Sequence, residues 1–108
     1  MTKIFYDHQI FSSQYYGGIS RYFEYLMRGV DKSNELDYKL GVLKSKNYYI
    51  RNEKQPLNHG IFNALFKSTA DLIKRNNSYC KYLLKKNDFS VFHPTYYNPY
   101  FLKYLKYK

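Results

Sequence analysis

Residues 19 to 30 constrain this chain more than any other stretch. Ile19, Tyr22, Phe23, Leu26, Met27 and Val30 fall at i, i+3, i+4, i+7, i+8 and i+11, one apolar stripe of an amphipathic helix, with Arg21, Glu24 and Arg28 on the opposite face. On either side the period changes. Ile4, Phe5 and Tyr6 form a short apolar run ahead of the polar Asp7-His8-Gln9, which predicts a buried strand opening into a loop. Gly, Asp, Ser and Asn collect between Gly29 and Asn34 and end the helix. Leu36, Tyr38, Leu40 and Val42 then alternate with Asp37, Lys39 and Gly41, the period of two of a second strand.

Further along, residues 44 to 60 are polar, carry Pro56 and Gly60 and show no sustained period, which predicts an exposed loop. Ile61, Leu65, Leu72, Ile73, Cys80, Leu83 and Leu84 recur at roughly helical spacing, with Asn76-Asn77-Ser78 as a weak point, so one bent helix or two short ones are expected between residues 61 and 86. Phe89 to Phe92 read as a third strand, and Pro94 and Pro99 bar a simple helix beyond it. Strands alternating with helices predict an α/β fold, a partial Rossmann-like parallel sheet with flanking helices. At 108 residues the chain is one small domain.

Composition excludes several chemistries. Cys80 is the single cysteine, so neither an intrachain disulfide nor a CxxC redox pair can form, and a reduced, cytoplasmic compartment is expected. His8, His59 and His93 show no metal-ligand spacing. No apolar run reaches the ~20 residues of a membrane span. The formal charge of +10, from 18 Lys+Arg against 8 Asp+Glu, attracts anions in general and names none.

Two stretches carry candidate site residues. In "YYGGIS" the pair Gly17-Gly18 stands between the first strand and the first helix, in neither the dinucleotide nor the P-loop spacing. The pair either makes a plain turn or clears side chains from the helix N-terminus so that a phosphate can approach, with Arg21 one turn on as a solvated residue or an anion contact. In "FHPTYYNPY", His93, Thr95, Tyr96 and Tyr97 follow the third strand, at the edge where open α/β sheets bind ligands. His93 there is a general base, a hydrogen-bond donor to a sugar, or a residue that fixes the loop.

"KIFYDHQIFSSQYYGGISRYFEYL" together with "FSVFHPTYYNPYF" resembles the N-terminal part of bacterial family 4 glycosyltransferases, enzymes of the GT-B fold with two facing Rossmann-like domains. The resemblance is strongest over residues 3 to 30 and 88 to 102. It implies a cleft in which Gly17, Gly18, Ile19 and Arg21 lie near the donor diphosphate, while Asp7, His8, His93, Thr95 and Tyr97 lie on the acceptor side. It implies a retaining sugar transfer from a nucleotide-sugar donor to a cell-surface polysaccharide or lipid-linked glycan. No metal or cofactor is implied, and no residue of this chain is assigned as catalytic.

The family's next elements, a strand with a "VHD"-like histidine and a C-terminal domain with donor-binding glutamates, do not follow "YFLKYLKYK". Residues 1 to 108 are therefore expected to be a partial acceptor-side domain, inactive alone, with exposed apolar sheet edges, and either a marginal fold or one completed by its missing half on another chain, as a split gene, a frameshift remnant or an expression fragment would each give. Two other partnerships come from charge. One is an anionic membrane surface at Lys67, Lys74, Arg75, Lys81, Lys85 and Lys86, a face that a plain solvated basic surface explains more simply; the other is nucleic acid, as in a small basic binding module. Nucleic acid is the less favoured, because the aromatic residues follow core faces and no RNP-like or helix-turn-helix signature is present.

Overall fold

A computed structural model of the chain describes residues 2–50, 55–56 and 68–105. Strand β1 (Thr2–Tyr6) leads through a one-turn helix, α1 (Gln9–Ser13), into α2 (Gly18–Asp31) and strand β2 (Leu36–Leu40). Helix α3 (Thr69–Lys86), strand β3 (Val91–His93) and a 3-10 turn (Tyr100–Lys103) complete it. All three strands are parallel, in the order β2-β1-β3. The chain is thus α/β with a partial Rossmann-like sheet.

β1 is central, and its last two residues face opposite ways, as pleating requires. Tyr6 joins Phe23 and Met27 of α2, with Ile10, Phe11, Leu40 and Val42, in one core. Phe5 joins Cys80 and Leu84 of α3 and Phe89 in the other. The first crossover runs from β1 to β2 and the second back from β2 across β1 to β3, in opposite directions, which lays their helices on opposite faces, as a shared handedness demands. Each buried side chain of this size contributes roughly 1.5–3 kcal/mol. Phe5 meets Phe89 and Phe92 edge-on, both at 5.3 Å between centroids.

The helices follow their sequences with one difference. In α2 the buried line is Ser20, Phe23, Met27 and Val30, whereas Ile19 and Tyr22 at the predicted start of the stripe are exposed. Ser20 is small enough to sit inside and donates to the Gly17 carbonyl. In α3, of the two forms expected, one bent helix or two short ones, the described residues form one helix that runs through Asn76-Asn77-Ser78. Ser68 caps it by accepting from the Asp71 N–H at 3.1 Å, and Asn87 in the left-handed region ends it. Leu72, Asn76, Cys80 and Leu84 are its buried line. The predicted helical positions Ile61 and Leu65 lie outside the described residues, as do His59 and Lys67.

The third strand begins two residues later than predicted, at Val91, while Phe89 is buried just before it. β2 stops at Leu40, and Leu36 at its start is exposed. Val91 on the other edge strand is exposed too, so both edges keep apolar side chains uncovered by this chain's described residues. Past β2, Gly41 touches the second core so closely that a Cβ there would lie 2.8 Å from the Phe5 ring and closer still to Cys80 Sγ. Gly41→Ala should therefore overpack that core and cost about 1–3 kcal/mol. A urea unfolding midpoint unchanged by the substitution would refute this.

Candidate functional site

In a sheet ordered 2-1-3 the chain goes from β1 to a neighbour on one side and then returns to a neighbour on the other, so the carboxyl ends of β1 and β3 flank the topological switch point. The two loops that leave there are joined by one carboxylate. Asp7, fully buried, accepts from the Thr95 N–H (2.8 Å) and Thr95 hydroxyl (2.7 Å) on Oδ1. Its Oδ2 accepts from Gln9 Nε2 (2.8 Å) and the Tyr100 hydroxyl (2.9 Å). Thr95 Oγ1 in turn accepts from the Ile10 N–H at 3.0 Å. Gln9 completes the clamp by donating to the Asn98 carbonyl and accepting from the Asn98 N–H, both at 2.9 Å.

A second polar knot secures α3 to the same edge. Asn76 Oδ1 accepts from the Leu43 N–H (2.8 Å) and the Lys44 N–H (3.4 Å), and Nδ2 donates to Ser12 Oγ and the Lys44 carbonyl, both 2.9 Å away. Ser12 Oγ also lies 2.9 Å from His8 Nδ1, and His8 Nε2 lies 3.4 Å from Asn77 Oδ1. With Asn77 Oδ1 as an acceptor, Nε2 is the donor of that contact, and Ser12, whose hydroxyl can donate or accept, serves Nδ1. Burial holds the His8 pKa below its ordinary value, against the opposing pull of Asp7 and the Asn77 bond.

Between these knots is a pocket of about 190 Å³, lined by His8, Gln9, Asn77, Tyr96, Asn98 and Tyr100 together with Ser13 and Ile73. Of the residues expected on the acceptor side, His8 lines the pocket and Asp7 lies buried beneath it. Thr95 is buried in the clamp with its hydroxyl engaged at both ends. Tyr97 is 86% exposed and rests on Tyr96. His93 is the last residue of β3. Its ring packs on the α2 side against Phe23 and Tyr6, at 5.0 and 5.3 Å between centroids, outside the pocket lining. Burial lowers its pKa, with Asp7 opposing.

The donor-side expectation falls elsewhere on the same edge. Gly17 and Gly18 open α2, and neither they, Ile19 nor Arg21 line the pocket. Gly17 is extended, with φ 171°, a conformation open to any residue, but a Cβ there would meet the Gln14 amide at 2.6 Å. Gly18 has open space around it. Arg21 lies beside the Tyr25 ring, and exposed Tyr16 stacks on Tyr49 nearby in the next loop.

Gln9, Asn77, Asn98 and Tyr100 were not legible as site residues. Only Gln9 had a signal, its place two residues past Asp7 at the end of β1. Cys80 is fully buried, donates to the Gly41 carbonyl at 3.0 Å, and has its pKa pushed up by burial. Among the described residues no group of three His, Cys, Asp or Glu could hold a metal ion, and no helix is long and apolar enough to cross a membrane. Comparison with family models, curated proteins and solved structures returns no match.

Two outcomes follow from this geometry. Asp7→Asn turns an NH₂ toward buried donors and should cost on the order of 1–3 kcal/mol for each donor left unpaired; equal chemical-denaturation midpoints for the two proteins would contradict the clamp. His8 and His93 have folded pKa values below the ordinary 6.5, so their contribution is complete above that pH. As pH falls below it, the unfolded chain takes up protons first and stability declines through the folded pKa values. Urea midpoints should therefore drop between pH 7.5 and 5.5, and His93→Phe should flatten the drop.

Proposed function

We propose that this chain is the acceptor-side, N-terminal half of a retaining GT-B glycosyltransferase of the family 4 type. The observation that carries the reading is the polar pocket at the switch point of a 2-1-3 parallel sheet, the edge at which open α/β sheets hold ligands. The resemblance of residues 3 to 30 and 88 to 102 to such enzymes supplies the reaction class. Those two stretches contribute Asp7, Gln9, Thr95, Asn98 and Tyr100, the members of the clamp.

In this reading the pocket seats the acceptor glycan, and the clamp fixes the two loops that bear on it. Rigid positioning is the contribution such a half makes, since orientation of the attacking hydroxyl lowers the entropic part of the barrier. Gly17, Gly18, Ile19 and Arg21 face the donor diphosphate across the interdomain cleft, with the open space at Gly18 and the unfilled first turn of α2 available to it. Donor binding belongs to a second Rossmann-like domain. The work is cytoplasmic, at the inner membrane face, with exposed Lys74, Lys85 and Lys86 of α3 toward anionic lipid.

The test is to fuse or co-express the chain with the Rossmann-like domain encoded downstream of codon 108 and to follow transfer of radiolabelled sugar from nucleotide donors to membrane glycolipid extracts. Transfer is expected from the joined protein and none from residues 1 to 108 alone. If no such domain is encoded and the chain instead binds single-stranded nucleic acid at micromolar concentration with steep salt dependence, the glycosyltransferase reading fails and the basic binding module replaces it.

A further inference from the structure

The chain carries 18 Lys+Arg, yet among the described residues no Lys, Arg, Asp or Glu lines the pocket. The nearest formal charge with a described connection to it is Asp7. That carboxylate sits behind the pocket wall, bonded to the Gln9 amide and the Tyr100 hydroxyl that form part of it. His8 is a poor source of positive charge here, since both its ring nitrogens are already engaged with Ser12 and Asn77 and burial disfavours its charged form. A phosphate, a uronate or a nucleotide diphosphate placed here would meet no cation among the described lining residues and would lie near a buried anion, which a low local dielectric makes costly.

The groups that remain suit hydroxyls. Asn77 Nδ2 has no hydrogen-bond partner among the described residues, and neither does the Tyr96 hydroxyl. Ile73 and the Tyr96 ring, both exposed, offer apolar surface on which the C–H face of a sugar can rest. The volume of about 190 Å³ lies below the roughly 300 Å³ at which pockets for larger ligands begin. One ring fits this description better than a nucleotide.

We infer that the pocket seats a single uncharged pyranose unit and turns away uronic acids and sugar phosphates. This rests on the acceptor-side reading for the use of the sugar, but not for its binding. The probes are methyl glycosides of glucose, galactose and mannose, set against glucuronate and glucose 1-phosphate, titrated into ¹⁵N-labelled chain. At least one neutral glycoside should shift the side-chain amide signals of Gln9, Asn77 and Asn98, with both anions at least about tenfold weaker, a 1.4 kcal/mol difference.

Tyr96→Ala, at an exposed position outside the clamp, should weaken the glycoside without unfolding the protein. Asn77→Lys should bring glucuronate binding up toward that of the neutral sugar. Anions that bind the unaltered chain as tightly as glycosides, or shifts confined to residues away from the pocket, would overturn the inference. Sugar binding at the pocket with an inert joined protein would defeat only the enzyme reading. Active transfer with an unperturbed pocket would defeat only this one.

Discussion

One buried carboxylate holds the functional edge of this molecule together. Asp7 has no exposed surface and four donors, two from Thr95 and one each from Gln9 and Tyr100. Loops cannot satisfy their own peptide groups as helices and strands do, so the segments after β1 and β3 need a shared acceptor to be buried at all. Asn76 does the same for the segment after β2, saturating both ends of its amide on Leu43, Lys44 and Ser12. Because a low dielectric strengthens satisfied polar bonds and penalises unsatisfied ones, the two knots impose one arrangement on three loops.

The clamp works only because β1 is gripped from both sides. Phe5 and Tyr6 enter different cores, and the pairs Tyr6↔Leu40 and Tyr6↔His93 set the ends of all three strands level. His93 closes the α2 side by packing on Tyr6 and Phe23 instead of reaching toward a ligand. Its neighbour two residues on, Thr95, then falls under Asp7. A shift of one residue in the β3 register would put Thr95 on the other side of the pleat and undo the clamp.

Apolar patterning in the sequence exposed every long element, because the two helices each bury one line of residues and the strands are short apolar or alternating runs. What it could not expose was polar burial. Asn76-Asn77-Ser78 reads as a helix breaker on local propensity, yet α3 passes through it, since Asn76 is consumed by bonds to residues 32 to 64 positions away. Tyrosine hid the true stripe of α2: Tyr22 counts as apolar in the pattern but keeps its ring at the surface, while Ser20, polar by type, goes inside. α1 escaped notice because His8 gives it no side-chain cap and five residues cannot display a period. Of the site, Asp7, His8 and Thr95 were legible from their place at strand ends. Gln9, Asn98 and Tyr100 were not, because each enters through a partner remote in sequence.

The cations that rest on aromatic rings stand apart from this site. Arg21 and Arg28 flank the exposed Tyr25 ring, Lys81 and Lys85 lie over Tyr104, and Lys86 lies over Tyr82. These cations rest their stems and heads on aromatic faces at the surface, an arrangement that costs little desolvation. Excess lysine and abundant tyrosine are thus accommodated together, on the outside. A net charge of +10 raises the local concentration of any anion around the whole molecule, but attraction of that kind cannot discriminate at a pocket whose described walls are amides, hydroxyls, an imidazole, tyrosine rings and Ile73. Selection there must come from hydrogen-bond geometry, which depends on loops that Asp7 and Asn76 keep in place.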